Sequence, residues 1–66
     1  METLNKYRVW IHIRGSVVRP AYDGYVEVYA ENDNEAAERA KRELMRGTFK
    51  DVWYENFVVE SVERQF

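Results

Sequence analysis

Tyr7-Arg8-Val9-Trp10-Ile11-His12-Ile13-Arg14 alternates without a break: Tyr7, Val9, Ile11 and Ile13 fall on one side, Arg8, Trp10, His12 and Arg14 on the other. Successive side chains of a strand point to opposite faces, so this period of two marks a β-strand with one buried and one open face. Gly15-Ser16 interrupts the pattern. Arg19-Pro20 closes a short connection, because Pro20 has no N–H for a ladder and biases Arg19 towards an extended conformation. Val17 and Val18 are expected to prolong the arms of the hairpin. A second strand follows from about Tyr22 to Ala30, with Tyr22, Val26, Val28 and Ala30 on one face and Tyr25, Glu27 and Tyr29 on the other. Gly24 within it is expected to mark a bulge or a bend. So short a link makes the strands antiparallel neighbours, which sets Val9, Ile11 and Ile13 beside Val26 and Val28 on the inner face.

The next segment carries helix signals. Asn32 is a favoured N-cap, Glu35 three residues on is the reciprocal half of a capping box, and Asp33 adds negative charge to the first turn. Ala36, Ala37, Ala40, Leu44 and Met45 form an apolar stripe. Glu35 with Arg39, Glu38 with Arg42 and Arg39 with Glu43 stand four residues apart and read as a solvated face. The helix should run from Asp33 to Arg46, with Gly47 able to end it in a left-handed C′ conformation. Beyond Thr48 to Tyr54, the stretch Phe57 to Arg64 reads as a third strand. Phe57 and Val59 fall on one face but Val58 and Val62 on the other, so its facing stays open and a bulge is expected near Glu60-Ser61.

These elements predict an α+β domain of order β-β-α-β: a three-stranded, mainly antiparallel sheet with one helix on one face, residues 1–66 making a single small domain. A helix of about fourteen residues is only ~21 Å long and covers one sheet face. The other face is left with Arg8, Trp10, His12, Arg14, Tyr25, Glu27 and Tyr29. That mixture of aromatic and arginine side chains is typical of interface hot spots and makes the seven residues the candidate partner-binding surface.

Composition narrows the function classes. A chain of 66 residues buries only about 60% of the surface it exposes when unfolded, so its core is thin. It has no cysteine, which removes disulfides and thiolate metal sites and suits a reducing, cytoplasmic setting. Met1 to Lys6 includes an early acid and no apolar run, so no secretory signal is expected there, and no segment approaches a membrane span. Ten Lys+Arg against twelve Asp+Glu give a net charge of -2, too balanced for the broad positive field of a non-specific nucleic-acid binder.

Catalytic constellations are missing. Nucleophilic catalysis needs a Ser, Cys or Thr beside an oriented base, and His12 is the one histidine. Ser16 and Ser61 have no motif around them. One histidine builds a transition-metal site only if carboxylates converge on it, and no spacing signals that, so neither a metal nor a cofactor is expected. Asp23 with Glu27, or Glu60 with Glu63, offers paired carboxylates, but Asp23-Gly24 reads as turn chemistry and the others as exposed strand positions. Gly15, Gly24 and Gly47 are too scattered to cradle a phosphate. The chain is therefore expected not to be an enzyme.

Two resemblances bear on partners. Val9 to Gly15 with Gly24 to Tyr29 resembles the two aromatic strand motifs of RNA-recognition-motif proteins, which implies base stacking on Trp10 and Tyr25 or Tyr29, with Arg8 and Arg14 on phosphates. The first helix and fourth strand of that fold are lacking, and Glu27 opposes a phosphate backbone. The strand-to-helix stretch Val26 to Ala37, with Tyr7-Arg8-Val9 as an opening strand, resembles the small DpnD/PcfM-like proteins of phages and mobile elements; the segment after Gly47 departs from that pattern. This second resemblance implies no catalytic residues but a setting: accessory proteins that bind a host macromolecule, including components of defence complexes. The expectation is a non-enzymatic protein-binding module acting on a host protein or complex. RNA or single-stranded DNA binding ranks second, and homodimerisation through the open face is the simplest way for so thin a domain to bury it.

Overall fold

The structure is a computed structural model that describes residues 4–47 and 49–65; Met1, Glu2, Thr3 and Thr48, named above, lie outside them. It has the predicted α+β order: β1 (Asn5–Ile13), β2 (Tyr22–Ala30), α1 (Asp33–Arg46), a single 3₁₀ turn (Tyr54–Asn56) and β3 (Phe57–Gln65). The three strands form one antiparallel sheet in the order β2-β1-β3, so β1 is central and β2 and β3 are edges.

The alternation of β1 sorts its residues as expected. Val9, Ile11 and Ile13 are fully buried, Tyr7 nearly so, and Val28, Ala30, Ala36, Ala40 and Phe57 complete the core. Val26, Leu44, Met45, Phe49, Val52, Val59 and Val62 pack around its margin. Helix α1 lies across all three strands and closest to β2. Alanine at positions 36 and 40 lets the helix backbone approach the sheet, where a larger side chain would hold it off.

The helix starts where its cap predicts: the Asn32 side chain accepts from the Glu35 N–H at 2.9 Å. Glu35 reaches back to the N–H of Glu31, at 3.2 Å, one residue before the position a capping box uses. At the other end Gly47 is not left-handed, with φ -103. The helix stops instead because the Gly47 and Phe49 N–H groups both turn back to the Leu44 carbonyl, at 3.2 and 3.3 Å. Of the expected charge pairs, Glu35–Arg39 forms at 3.0 Å. Glu38 and Glu43 turn to nearer partners at i+3, Lys41 at 3.9 Å and Arg46 at 3.7 Å.

The link between β1 and β2 is tighter than expected. Val17 and Val18 do not extend the arms: they are the two tip residues of a turn closed by a bridge between Ser16 and Arg19. Gly15 is required beneath that turn, since a Cβ there would stand 2.9 Å from the Ala21 nitrogen. Gly24 is neither a bulge nor a bend, because β1 and β2 pair without a shift from Asn5↔Ala30 to Ile13↔Tyr22. Its missing side chain makes room for the Tyr22 ring, which folds over it and packs on Phe49 with centroids 4.9 Å apart. Asp23-Gly24 is thus strand, not turn. In β3 the expected bulge is present: Trp10 pairs with Ser61 and Ile11 with Val59, so Glu60 is the extra residue. The shift resolves the open facing of this strand, turning Phe57 and Val59 inward before the bulge and Val62 inward after it.

Candidate functional site: the open face of the sheet

Register turns the open face into four rows, each crossing β2, β1 and β3: Tyr29–Lys6–Gln65, Glu27–Arg8–Glu63, Tyr25–Trp10–Ser61 and Asp23–His12–Val58. Six of the seven candidate residues stand in these rows. Arg14 does not. It follows the end of β1, where its N–H donates to the Asn56 carbonyl at 3.0 Å, and it lines a groove at the tip of the molecule. Tyr29 stands at the opposite end, about 27 Å away along the strand at ~3.4 Å per residue, so the seven do not form one compact site.

The centre of the face is internally paired. Arg8 donates to Glu27 at 3.0 and 3.3 Å, and Lys6 adds a second cation 3.5 Å from the same carboxylate. The hydrogen bonds from Arg8 hold the Glu27 carboxyl below its ordinary range and push the Arg8 guanidinium up from its own. Above them Arg8 lies 4.5 Å over the Tyr25 ring, and Tyr25 meets Trp10 with centroids 4.9 Å apart at a tilt of 55°. The Trp10 indole donates to Glu63 at 3.2 Å. Tyr25 keeps 48% and Tyr29 58% of its surface exposed. A cation-backed aromatic pair with an open flank can receive an apolar or aromatic group, while its one central arginine is already committed to a carboxylate.

His12 has a separate environment. Its Nδ1 lies 2.8 Å from Asp23 Oδ1 across the β1–β2 pair, and the bulge brings Glu60 from β3 to the same place. One donor atom from each of the three lies within 4.8 Å of the others. The carboxylates that sequence spacing did not signal therefore converge on the histidine, because strand register, not sequence distance, sets which residues meet. Among the described residues, neither serine is hydrogen-bonded to this histidine: Ser16 Oγ accepts from the Val18 N–H inside the turn, and Ser61 lies in the neighbouring Trp10 row.

A second surface escaped the strand reading. Val17 and Val18 at the hairpin tip are almost fully exposed, and Trp53 is 72% exposed. With Arg14, Asp51 and Asn56 they line a groove of about 370 Å³. Arg19 and Asp51 hold its two walls together at 2.8 Å, and those hydrogen bonds draw the Asp51 carboxyl below its ordinary range. The available signal was two β-branched residues placed between the turn-forming pairs Gly15-Ser16 and Arg19-Pro20, where no strand partner can cover them.

Among the described residues, no helix is long and apolar enough to cross a membrane. Compared with known proteins, the chain matches no family, no curated protein and no solved structure.

Proposed function

We propose that this chain is a non-enzymatic protein-binding module whose contact surface is the open sheet face centred on Trp10 and Tyr25. The observation that carries this reading is the pairing of the aromatic couple with an already neutralised arginine: Arg8 is bound to Glu27, and Glu63 lies against Trp10. Such a surface offers apolar contact area with a polar, hydrogen-bonded rim, as protein interfaces do. A phosphate backbone would meet two carboxylates in the same row and would have to displace one of them from Arg8. The biological setting, an accessory protein that modulates a host complex in the cytoplasm, rests on the DpnD/PcfM-like resemblance of the strand-to-helix segment.

The test starts with mass in solution and continues with capture of partners from a bacterial lysate. Against a purified partner, Trp10→Ala and Tyr29→Ala should each weaken binding by more than about 1 kcal/mol, with modest dependence on salt. A stable dimer that buries Trp10 would replace this reading with self-association. An affinity for RNA or single-stranded DNA that falls steeply with salt, by about 0.7 in logarithmic slope per phosphate, and disappears in the Trp10 variant would replace it with nucleic-acid binding.

A further inference from the structure

We propose that His12, Asp23 and Glu60 form a binding site for a divalent transition cation of the zinc class on the open face of the sheet. Each ligand comes from a different strand: His12 from the centre of the sheet, Asp23 from the β2 edge and Glu60 from the β3 edge. Two structural facts bring them together. Antiparallel register sets Asp23 directly opposite His12, and the bulge adds Glu60 to β3 between Val59 and Ser61. Bulges re-aim side chains, and without this one Glu60 would take a place in the regular alternation of the strand.

The donor set selects the cation. An imidazole with two carboxylates suits zinc and its neighbours in the first transition row, whereas calcium and magnesium take oxygen ligands. A neutral imidazole and two carboxylates carry a charge that a divalent cation cancels. Donor atoms around a tetrahedral zinc, with bonds of ~2.1 Å, stand roughly 3.4 Å apart. His12 Nδ1 and Asp23 Oδ1 stand 2.8 Å apart, and one donor atom from each of the three residues lies within 4.8 Å of the others, so the fold has already gathered the ligands to within small side-chain adjustments of that spacing. The His12 and Asp23 side chains are partly open to solvent, so the outward coordination positions of the cation stay open to water. Because the ligands are brought together only by the fold, a bound cation ties both edge strands to β1 and stabilises the native state.

The experiment is a titration of the intact chain with zinc chloride, followed by calorimetry, by the imidazole resonances of His12 and by the thermal midpoint. Saturable uptake of one zinc per chain is expected, with perturbation of His12 and a rise in the midpoint, and no comparable response to calcium at the same concentration. His12→Ala, Asp23→Asn and Glu60→Gln should each lower the affinity at least ~10-fold, since even residues that only orient a metal ligand cost that much. Glu43→Gln, on the helix, should leave it unchanged. Absence of saturable uptake, uptake that survives Glu60→Gln in a folded chain, or an equal response to calcium would each overturn the proposal. Glu60→Gln sits on an exposed bulge and keeps the test decisive if His12→Ala fails to fold. The titration is made without any partner, so its failure leaves the protein-binding reading standing, and the reverse holds as well.

Discussion

The two faces of β1 are built from the same nine residues and obey different physics. On the inner face Val9, Ile11 and Ile13 have no solvent exposure and are held by burial alone, which is proportional to area and indifferent to direction. On the outer face, one residue along in each case, Arg8, Trp10 and His12 are half-exposed and each engages a named partner across the sheet: Glu27, Glu63 and Asp23. Exposed pairs of this kind contribute little to stability. They set instead which chemical groups the surface accepts. The inner face therefore makes the fold and the outer face chooses its contacts, and the boundary between the two tasks runs through a single strand.

The sharpest way to break this division is Ile11→Ala. Removing a fully buried side chain at the centre of the central strand should cost roughly 2–5 kcal/mol, measured by chemical denaturation. A loss within experimental noise would mean that the inner face does not carry the fold. Overfilling should come next. Ala40→Leu pushes α1 away from the sheet and is expected to destabilise by about 1–3 kcal/mol, because Ala40 is fully buried. If the variant is as stable as the parent, the helix is not closely packed.

The outer face should respond less. Trp10→Ala loses the tilted pair with Tyr25, worth about 0.5–1.5 kcal/mol beyond the lost area, but Trp10 is only partly buried and leaves no enclosed cavity, so its unfolding midpoint should move less than that of Ile11→Ala. Equal losses in the two variants would show the outer face to be a second core. The smallest effect concerns Glu27. Its carboxyl is held below the ordinary range by Arg8, so the folded state binds its proton less readily than the unfolded chain does. The stabilisation this brings is present at neutral pH and is lost as pH falls through the depressed folded value. Carboxyl resonances followed through an acid titration should show Glu27 titrating below a free glutamate in the parent and moving back up in Arg8→Gln. No movement would separate the two residues in solution.

Much of this molecule was legible in the order of its residues. Helix α1 begins after Asn32 and ends at Arg46, as its cap and stripe indicate, and the faces of β1 follow from alternation, because both depend on neighbours within a few positions. The bulge at Glu60 was legible as a break in the alternation of β3. The two glycine readings within the sheet and after the helix were not, since Gly24 answers to the Tyr22 ring and Gly47 to the Leu44 carbonyl, partners that conformational preference alone does not name.

By itself the sequence determined the order of elements, the inner faces of β1 and β2 and the absence of a thiolate or disulfide, since these depend on residue type and on periods of two or 3.6. Tertiary structure alone decided which residues of the outer face meet. His12, Asp23 and Glu60 are scattered along the chain and share no motif, yet the uninterrupted β1–β2 register and the one-residue slip in β3 bring their donor atoms within 4.8 Å. The same register sets Arg8 beside Glu27 and Trp10 beside Tyr25. The physical reason is that a strand's alternation fixes which side of the sheet a residue faces, whereas turn geometry and bulges fix whom it meets there, and a shift of one position changes every meeting at once.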